Sequence, residues 1–237
     1  MLSSLSCSRW LTSAALTLAL AAAPSGSPLT IVNGANSGST PLAPQSVAVA
    51  FGSFPGVTET VPPGAPTSVA GLQVLVGGQA ARLLYVSDRQ INFVVPDQVE
   101  PPTAQVQVQR NGSPVASSAV DVARSSPVLF PRHDREDDAG LILNATGAVN
   151  SAANPAAAGS QIRLFATGMG LQPRAEDIGV MIGLRHVRNA VITADPGLPG
   201  VWMIQIALPS SGLMSGLTPL AVHAGGRASN TVTLYVQ

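Results

Sequence analysis

The densest group of chemically versatile side chains in this sequence is the run Arg132-His133-Asp134-Arg135-Glu136-Asp137-Asp138. Carboxylates at this density could bind Ca²⁺, which takes about six to eight oxygen ligands from a shaped loop. The run lacks the alternating Asp-x-Asp-x-Asp-Gly spacing of a calcium loop, and its two arginines would oppose a cation. We therefore expect a solvated linker between domains here, and we expect neither a metal site nor a cofactor.

Candidate catalytic bases are few. Nucleophilic catalysis needs a nucleophile, a base and an orienting carboxylate in one place, and the histidines are His133, His186 and His223. The sequence has neither a G-x-S-x-G elbow nor an H-E-x-x-H helix. His186 and His223 fall within strand patterns, where exposed or hydrogen-bonded histidines are commoner than catalytic ones. The sequence therefore predicts no catalytic residue and no enzyme.

Trp202 is the candidate ligand-binding residue. Sugar-binding β-sandwiches commonly present an aromatic platform, and Trp202 could supply one. Its strand also carries Ile204 and Ile206 on the same face, so a core position is favoured, and most other aromatic residues are expected to face inward. Asn111-Gly-Ser and Asn144-Ala-Thr fit the N-glycosylation pattern, to which we give little weight.

The composition argues against several classes of partner. Of 237 residues, 46% are hydrophobic and 10% charged, and the formal net charge is zero. Without a basic surplus there is no electrostatic case for nucleic acid or an anionic membrane. The 12 basic residues are all arginine, but they are scattered, and a coding bias explains them best. The 23 glycines and 20 prolines indicate many short strands.

The N-terminus has the layout of a secretory signal peptide, which we assign to residues 1–23. Arg9 precedes the apolar run Ala14–Ala23, and Ala19-Leu20-Ala21 is a fair cleavage site. The run is too short to span a bilayer comfortably, and no later run approaches the roughly 20 residues needed. Cys7 is the one cysteine and precedes the apolar run, which weakens a lipoprotein alternative and leaves the mature chain without disulfides. We expect a secreted, periplasmic or cell-surface protein.

The rest of the chain is typical of β-sandwiches. Leu83–Pro96 predicts a strand, a tight turn at Ser87-Asp88-Arg89 and a second strand whose core residues are Ile91, Phe93 and Val95. Thr103–Arg110 alternates apolar residues with glutamine, and Asn111-Gly112 then predicts a two-residue hairpin. Turn signals at intervals of about 8–12 residues, without helical periodicity, predict an immunoglobulin-like (Ig-like) sandwich.

This pattern occurs twice. Val74 is echoed by Val180 after 106 residues, Phe93 by Ile206 after 113, and Val106 by Leu220 after 114. A repeat this long indicates duplicated domains. The predicted fold is all-β, with two tandem Ig-like β-sandwich domains at 28–124 and 141–237, joined by a linker at 125–140.

Several segments resemble a known family. Leu83–Pro96, Leu-Leu-Tyr-Val-Ser-Asp-Arg-Gln-Ile-Asn-Phe-Val-Val-Pro, is similar to the signature of the Solibacter-type uncharacterised C-terminal domain family of exported bacterial proteins. Gly147–Pro155, Phe165–Gly170 and Ala228–Gln237 resemble later segments of that family, in order. The resemblance covers about Ile31 to Gln237. It implies two Ig-like units of the IPT/TIG kind and brings no known activity, ligand or catalytic residue.

These observations predict a non-enzymatic, exported tandem Ig-like module for spacing, display or protein contact outside the cytoplasm. The alternative is a binding module for cell-surface polysaccharide, with Trp202 on its binding face. The expected partner is accordingly an extracytoplasmic protein or a glycan, and we expect neither a nucleic acid partner nor a membrane span after signal removal.

Overall fold

The structure, a computed structural model, describes residues 28–56, 61–132 and 138–237. The predicted signal peptide lies outside these residues. The described chain is β-structure apart from a 3-10 turn at Ala175–Asp177. Buried apolar side chains form two separate clusters, one from Leu29 to Val122 and one from Leu129 to Val236. Two sheets enclose each cluster, so the predicted fold of two tandem Ig-like β-sandwiches is confirmed.

The first sandwich consists of two antiparallel sheets, with strand orders β1-β2-β6-β5 and β4-β3-β7-β8. Its strands are β1 (Thr30–Asn33), β2 (Val47–Phe51), β3 (Leu72–Val76), β4 (Gln79–Ala80), β5 (Arg82–Val86), β6 (Gln90–Val94), β7 (Thr103–Arg110) and β8 (Ser113–Asp121).

The second sandwich has a matching arrangement. One sheet has the order β10-β11-β15-β14, with β9 also paired to β11, and the other has the order β13-β12-β16-β17, with β18 also paired to β16. Its strands are β9 (Val128–Leu129), β10 (Ile142–Asn144), β11 (Gln161–Thr167), β12 (Ile178–Ile182), β13 (Arg185–Val187), β14 (Val191–Ala194), β15 (Trp202–Ala207), β16 (Gly216–Ala224), β17 (Arg227–Ala228) and β18 (Val232–Val236).

The strand registers confirm the duplication. Val74 on β3 faces Val108 on β7, and Val180 on β12 faces Val222 on β16. All four side chains are fully buried. The two sandwiches therefore bury equivalent cross-strand pairs, which is the unit that stabilises an antiparallel sheet.

The Leu83–Pro96 hairpin has the predicted form. Ile91, Phe93 and Val95 are completely buried in the first core. The Ser87 hydroxyl oxygen accepts hydrogen bonds from the backbone N–H of Gln90 at 3.0 Å and of Arg89 at 3.3 Å. Since a serine side chain that bonds nearby backbone favours a turn, this corner is a structural feature of the hairpin.

Backbone hydrogen bonds attach the chain to one sandwich on each side of residues 124–125. The Ala123 N–H donates to the Leu42 carbonyl in the first sandwich at 2.8 Å, and the Ser126 N–H donates to the Gly168 carbonyl in the second, also at 2.8 Å. Only residues 124 and 125 lie between these two bonds. Residues 128–129 form β9 on the second sandwich. The domain limits 28–124 and 141–237 and the linker at 125–140 stay a prediction.

Backbone contacts hold the two flanks of the charged run. Pro131 pairs with Gly140, the Arg132 N–H donates to the Ala139 carbonyl at 2.7 Å, and the Thr233 N–H donates to the Asp138 carbonyl at 2.9 Å. Both flanks of the run therefore belong to the second sandwich. Residues 133–137, which include His133, lie outside the described residues.

Side-chain amides of the buried Asn150 and the half-buried Asn230 replace backbone pairing in the second sandwich. The Asn150 side-chain oxygen accepts from the Tyr235 N–H at 2.7 Å, and its amide group donates to the Tyr235 carbonyl at 2.9 Å and to the Asn144 side-chain oxygen at 3.0 Å. Asn230 exchanges an equivalent pair of bonds with the Leu129 backbone. These two side chains hold the 144–154 loop and β9 in place, because a buried backbone group without a partner is costly.

We expect Asn150→Ala to lower the free energy of unfolding by about 1–3 kcal/mol, since the Tyr235 N–H and the Asn144 side-chain oxygen lose their hydrogen bonds to Asn150, while the Tyr235 carbonyl still accepts from the Ala156 N–H. Urea unfolding followed by Trp202 fluorescence measures the effect in the second sandwich, because the other tryptophan, Trp10, lies in the predicted signal peptide. Gln105→Ala removes an exposed amide and should leave the midpoint unchanged. Equal midpoints for both variants would contradict the proposed clamp.

Candidate functional site

The contact between the sandwiches centres on the hydroxyl of Thr167, which is completely buried. Its oxygen accepts a hydrogen bond from the Val47 N–H of β2 at 2.8 Å, and its O–H donates to the Gly200 carbonyl at 2.7 Å. One side chain at the end of β11 thus satisfies a donor of the first sandwich and an acceptor of the β14–β15 loop. The hydroxyl has both capacities, so this buried junction leaves neither backbone group unpaired.

The β14–β15 loop packs directly on the first sandwich. A methyl group on Gly200, whose φ is +86°, would lie 2.9 Å from a Val47 methyl carbon and 3.1 Å from the Gln45 carbonyl oxygen. Glycine is required there both for the positive φ and for this close approach. The Asp195 carboxylate accepts from the N–H groups of Gly197 and Leu198 at 2.9 and 3.0 Å, which shapes the loop before it reaches Gly200.

A cleft of about 350 Å³ opens beside this junction. One wall is the β14–β15 loop and the other is β5 with the loop that precedes β3. Proline and aliphatic residues dominate its lining, which consists of Val61, Pro62, Pro63, Gly64, Ala65, Leu83, Leu84, Pro196, Gly197, Leu198 and Pro199. The cleft lies between domains, where ligand sites commonly occur.

The outer face of the sheet β1-β2-β6-β5 carries two exposed aromatic rings. Phe51 is 39% exposed and lies opposite Gln90, while Tyr85 is 49% exposed and lies opposite Asn92. Val49 faces Asn92 from the other side and is buried. Directly opposed residues share a face of an antiparallel sheet. We call these five residues the aromatic–amide face.

Trp202 lies elsewhere. It is half-buried at the start of β15, where it faces Ala166 and Ala194 across the sheet, and it packs against the second core. It is not part of the cleft lining. A role for Trp202 in ligand binding stays a prediction from the sequence.

The histidines in the described chain lie on the outer face of the second sandwich. His186 on β13 and His223 on β16 are both exposed and flank β12. The His186 ring occupies the space above Gly179, where a side chain would clash with it. A ring that covers a glycine on a neighbouring strand compensates for the packing that the glycine lacks.

The described residues contain no group of three or more His, Cys, Asp or Glu side chains placed to hold a metal ion.

An exposed cluster forms around the 3-10 turn, where Arg174 pairs with Glu176 at 3.0 Å and with Asp177 at 2.9 Å. The hydrogen bond and charge of Asp177, followed by the charge of Glu176, raise the pKa of Arg174.

Within the described ranges, no helix is long and apolar enough to cross a membrane.

The two glycosylation patterns differ in their surroundings. Asn111 is exposed in the β7–β8 turn with a φ of +50°, followed by Gly112 at +80°. Asn144 is buried, and its amide group donates to the Asn154 carbonyl at 2.8 Å. The Asn144 side chain is therefore already used inside the fold.

Phe51 and Tyr85 were not identified by sequence reasoning, which expected most aromatic residues to face inward. In β2 the sequence Val-Ala-Val-Ala-Phe is apolar on both faces, so alternation could not decide which side faces the core. In β5 the register shifts between Leu83 and Tyr85, so that Tyr85 lies opposite the outward-facing Asn92. The aromatic residue at the end of β2, Phe51, was the one sequence feature that could have indicated this face.

The comparisons with known proteins found distant structural similarity. No family model and no curated protein matches the chain. SGBP-B of the Bacteroides ovatus mixed-linkage glucan utilization locus, solved with a mixed-linkage heptasaccharide, is 16% identical with a TM-score of 0.37, covering 83% of this chain and 43% of that one. An Ig tandem of titin is 10% identical with a TM-score of 0.26, covering 90% and 97% of the two chains.

Domains 4 and 5 of the S-layer protein SbsC are 14% identical with a TM-score of 0.24, covering 89% of this chain and 98% of that one. Similarity this distant carries no functional argument. The Ig-like assignment rests on the strand orders and the two cores.

We expect Thr167→Val to lower the free energy of unfolding by about 1–3 kcal/mol, because a methyl group in place of the hydroxyl leaves the Val47 N–H and the Gly200 carbonyl unpaired in a buried junction. Urea unfolding measures the loss, and amide exchange at Val47 should accelerate. Thr193→Val, on the exposed surface of β14, is the matched control. Unchanged exchange at Val47 in Thr167→Val would show that the hydroxyl does not hold the junction.

Proposed function

We propose that the protein is a non-enzymatic, exported tandem Ig-like module that holds its two sandwiches at a fixed spacing for display or protein contact outside the cytoplasm. The observation that carries this proposal is the short connection between the sandwiches, which has a backbone hydrogen bond on each side. Relative domain motion is the default for domains joined by a polar linker, and two features of this junction oppose it.

The first feature is the length of the connection. Two residues separate the last hydrogen bond of the first sandwich, from Ala123 to Leu42, from the first bond of the second, from Ser126 to Gly168. The Ser125 hydroxyl also donates to the Ala224 carbonyl at 3.0 Å. This leaves few backbone dihedral angles that could act as a hinge.

The second feature is a contact remote from the connection in sequence. Thr167 and Gly200 contact Val47, which lies more than a hundred residues earlier in the chain. Two separate attachments, one covalent and one through packing and hydrogen bonds, restrict both bending and rotation. A module built in this way is better suited to hold two domains at a fixed distance than to act as a hinge.

Export and family membership belong to the same proposal. Export is supported by Arg9, the apolar run Ala14–Ala23 and the cleavage pattern Ala19-Leu20-Ala21 within it. Membership of the Solibacter-type family is supported by the resemblance of Leu83–Pro96 and of segments 147–155, 165–170 and 228–237 to segments of that family.

The second candidate function is binding of a cell-surface polysaccharide. One observation favours it, namely the exposed rings of Phe51 and Tyr85 beside the amides of Gln90 and Asn92. This location differs from the one that the sequence predicted at Trp202.

The fixed spacing can be measured with spin labels at Gln79→Cys and Leu184→Cys, two exposed positions on different sandwiches. We expect a single narrow distance distribution, because the connection and the Thr167 contact act together. Inserting Gly-Ser-Gly-Ser between Arg124 and Ser125 should broaden it. A native distribution as broad as that of the insertion variant would overturn the proposed spacer function.

Export can be tested by fusing residues 1–26 to alkaline phosphatase, whose disulfides form only outside the reducing cytoplasm. We expect phosphatase activity in cells that carry the fusion. A control with Leu16→Arg and Leu18→Arg interrupts the apolar run and should abolish the activity. Equal activity of the two fusions would count against a signal peptide.

A further inference from the structure

We propose that the aromatic–amide face, formed by Phe51, Tyr85, Gln90, Asn92 and Val49, binds a neutral polysaccharide chain. This inference rests on the second candidate function and is independent of the spacer role. It assigns to the first sandwich a binding site that the sequence alone placed at Trp202 on the second.

The cross-strand register sets the spacing of the two rings. Phe51 lies on β2 opposite Gln90, and Tyr85 lies on β5 opposite Asn92, with β6 between them. Strands lie about 4.8 Å apart and rise about 3.4 Å per residue, so the two Cα atoms are about 12 Å apart on a diagonal across the face. The diagonal between the rings crosses β6 between Gln90 and Asn92, and Val49 lies beside Asn92 on β2, so an oligosaccharide lying along that diagonal contacts both rings and the two amides. The apolar faces of sugar rings pack on aromatic faces.

The amides provide the polar half of the site. The Gln90 amide group donates to the Asn92 side-chain oxygen at 2.7 Å. This bond orients both side chains and leaves the Asn92 amide group as a donor and the Gln90 carbonyl as an acceptor. Sugar hydroxyls both donate and accept, so such a pair matches them. A face that was only apolar would lack this complementarity.

The charge distribution favours a neutral ligand. The five residues of the face include no Asp, Glu, Lys, Arg or His. The nearest charged side chains are the exposed Asp88 and Arg89, which precede Gln90 and carry opposite charges, while Arg82 lies opposite Val94 at the end next to the junction. An anionic polymer or an acidic peptide would meet Asp88 beside Arg89, whereas an uncharged chain has no charge to desolvate.

The size of the face favours a narrow ligand over a folded protein. Four strands at about 4.8 Å spacing and five residues at about 3.4 Å give a surface of about 14 by 17 Å, or about 240 Å². A standard protein interface buries about 800 Å² on each partner. A single extended polymer chain can bind within the area of this face, which is smaller than a protein interface requires.

The face is also continuous with the interdomain cleft. Strand β5 contributes Tyr85 to the face and its neighbours Leu83 and Leu84 to the cleft lining. A polymer bound at the rings can therefore extend toward the loop at Pro196–Pro199. The fixed junction keeps this loop beside the sheet, so the second sandwich can lengthen the binding surface of the first.

The test is affinity electrophoresis of the folded protein in gels that contain neutral polysaccharides (hydroxyethyl cellulose, xylan, glucomannan or mannan), with polygalacturonate as the anionic comparison. Calorimetry with the matching oligosaccharide follows.

We expect Phe51→Ala and Tyr85→Ala each to weaken binding by at least about tenfold, and Tyr85→Phe to retain most of it because the ring remains. Leu184→Ala, at a side chain that is 99% exposed on the second sandwich, should bind like the native protein.

The outcomes separate the site from the function. Retarded migration that both ring variants lose while their thermal unfolding is unchanged supports the site. Binding that survives in both variants overturns the site but leaves a polysaccharide function elsewhere on the protein. Absence of retardation in every neutral gel, or retardation by polygalacturonate alone, overturns both the site and the polysaccharide function, and does not affect the spacer proposal.

Discussion

The hydroxyl of Thr167 is the interaction on which the two-domain arrangement depends. It pairs a donor of the first sandwich with an acceptor of the second inside a buried contact, where an unpaired group would cost about 1–3 kcal/mol. The cleft, its proline-rich walls and the continuity with the aromatic–amide face all exist because this contact holds the β14–β15 loop against β2. Without it, residues 124–125 and the packing of Gly200 against Val47 would join the two sandwiches.

A second principle, hydrogen bonding by side-chain amides, holds the second sandwich together. Asn150 and Asn230 each exchange two bonds with a strand backbone, as a neighbouring strand would. These residues lie in segments 147–155 and 228–237. Their polar side chains carry out a structural task, and a polar motif in an Ig-like chain is therefore not by itself evidence of a binding site.

The candidate site illustrates the limits of strand alternation. Alternation correctly placed Ile91, Phe93 and Val95 in the core, since their strand is polar on its other face. It could not orient Phe51, because β2 is apolar on both faces. It could not locate Tyr85 either, because a register shift precedes that residue. The sheet face that presents both rings was visible only once strands distant in sequence had been paired.

The sequence by itself determined the all-β class, the duplicated pattern and the hairpins at Leu83–Pro96 and Asn111-Gly112, because side-chain periodicity and turn chemistry act over a few residues. Tertiary structure decided where one sandwich ends, which loop touches the other sandwich and which aromatic rings face solvent. Thr167 and Val47 are 120 positions apart in the chain, and nothing local to either residue specifies their contact. The physical reason is that a hydrogen bond across domains depends on the packing of both sheets, which no short stretch of sequence encodes.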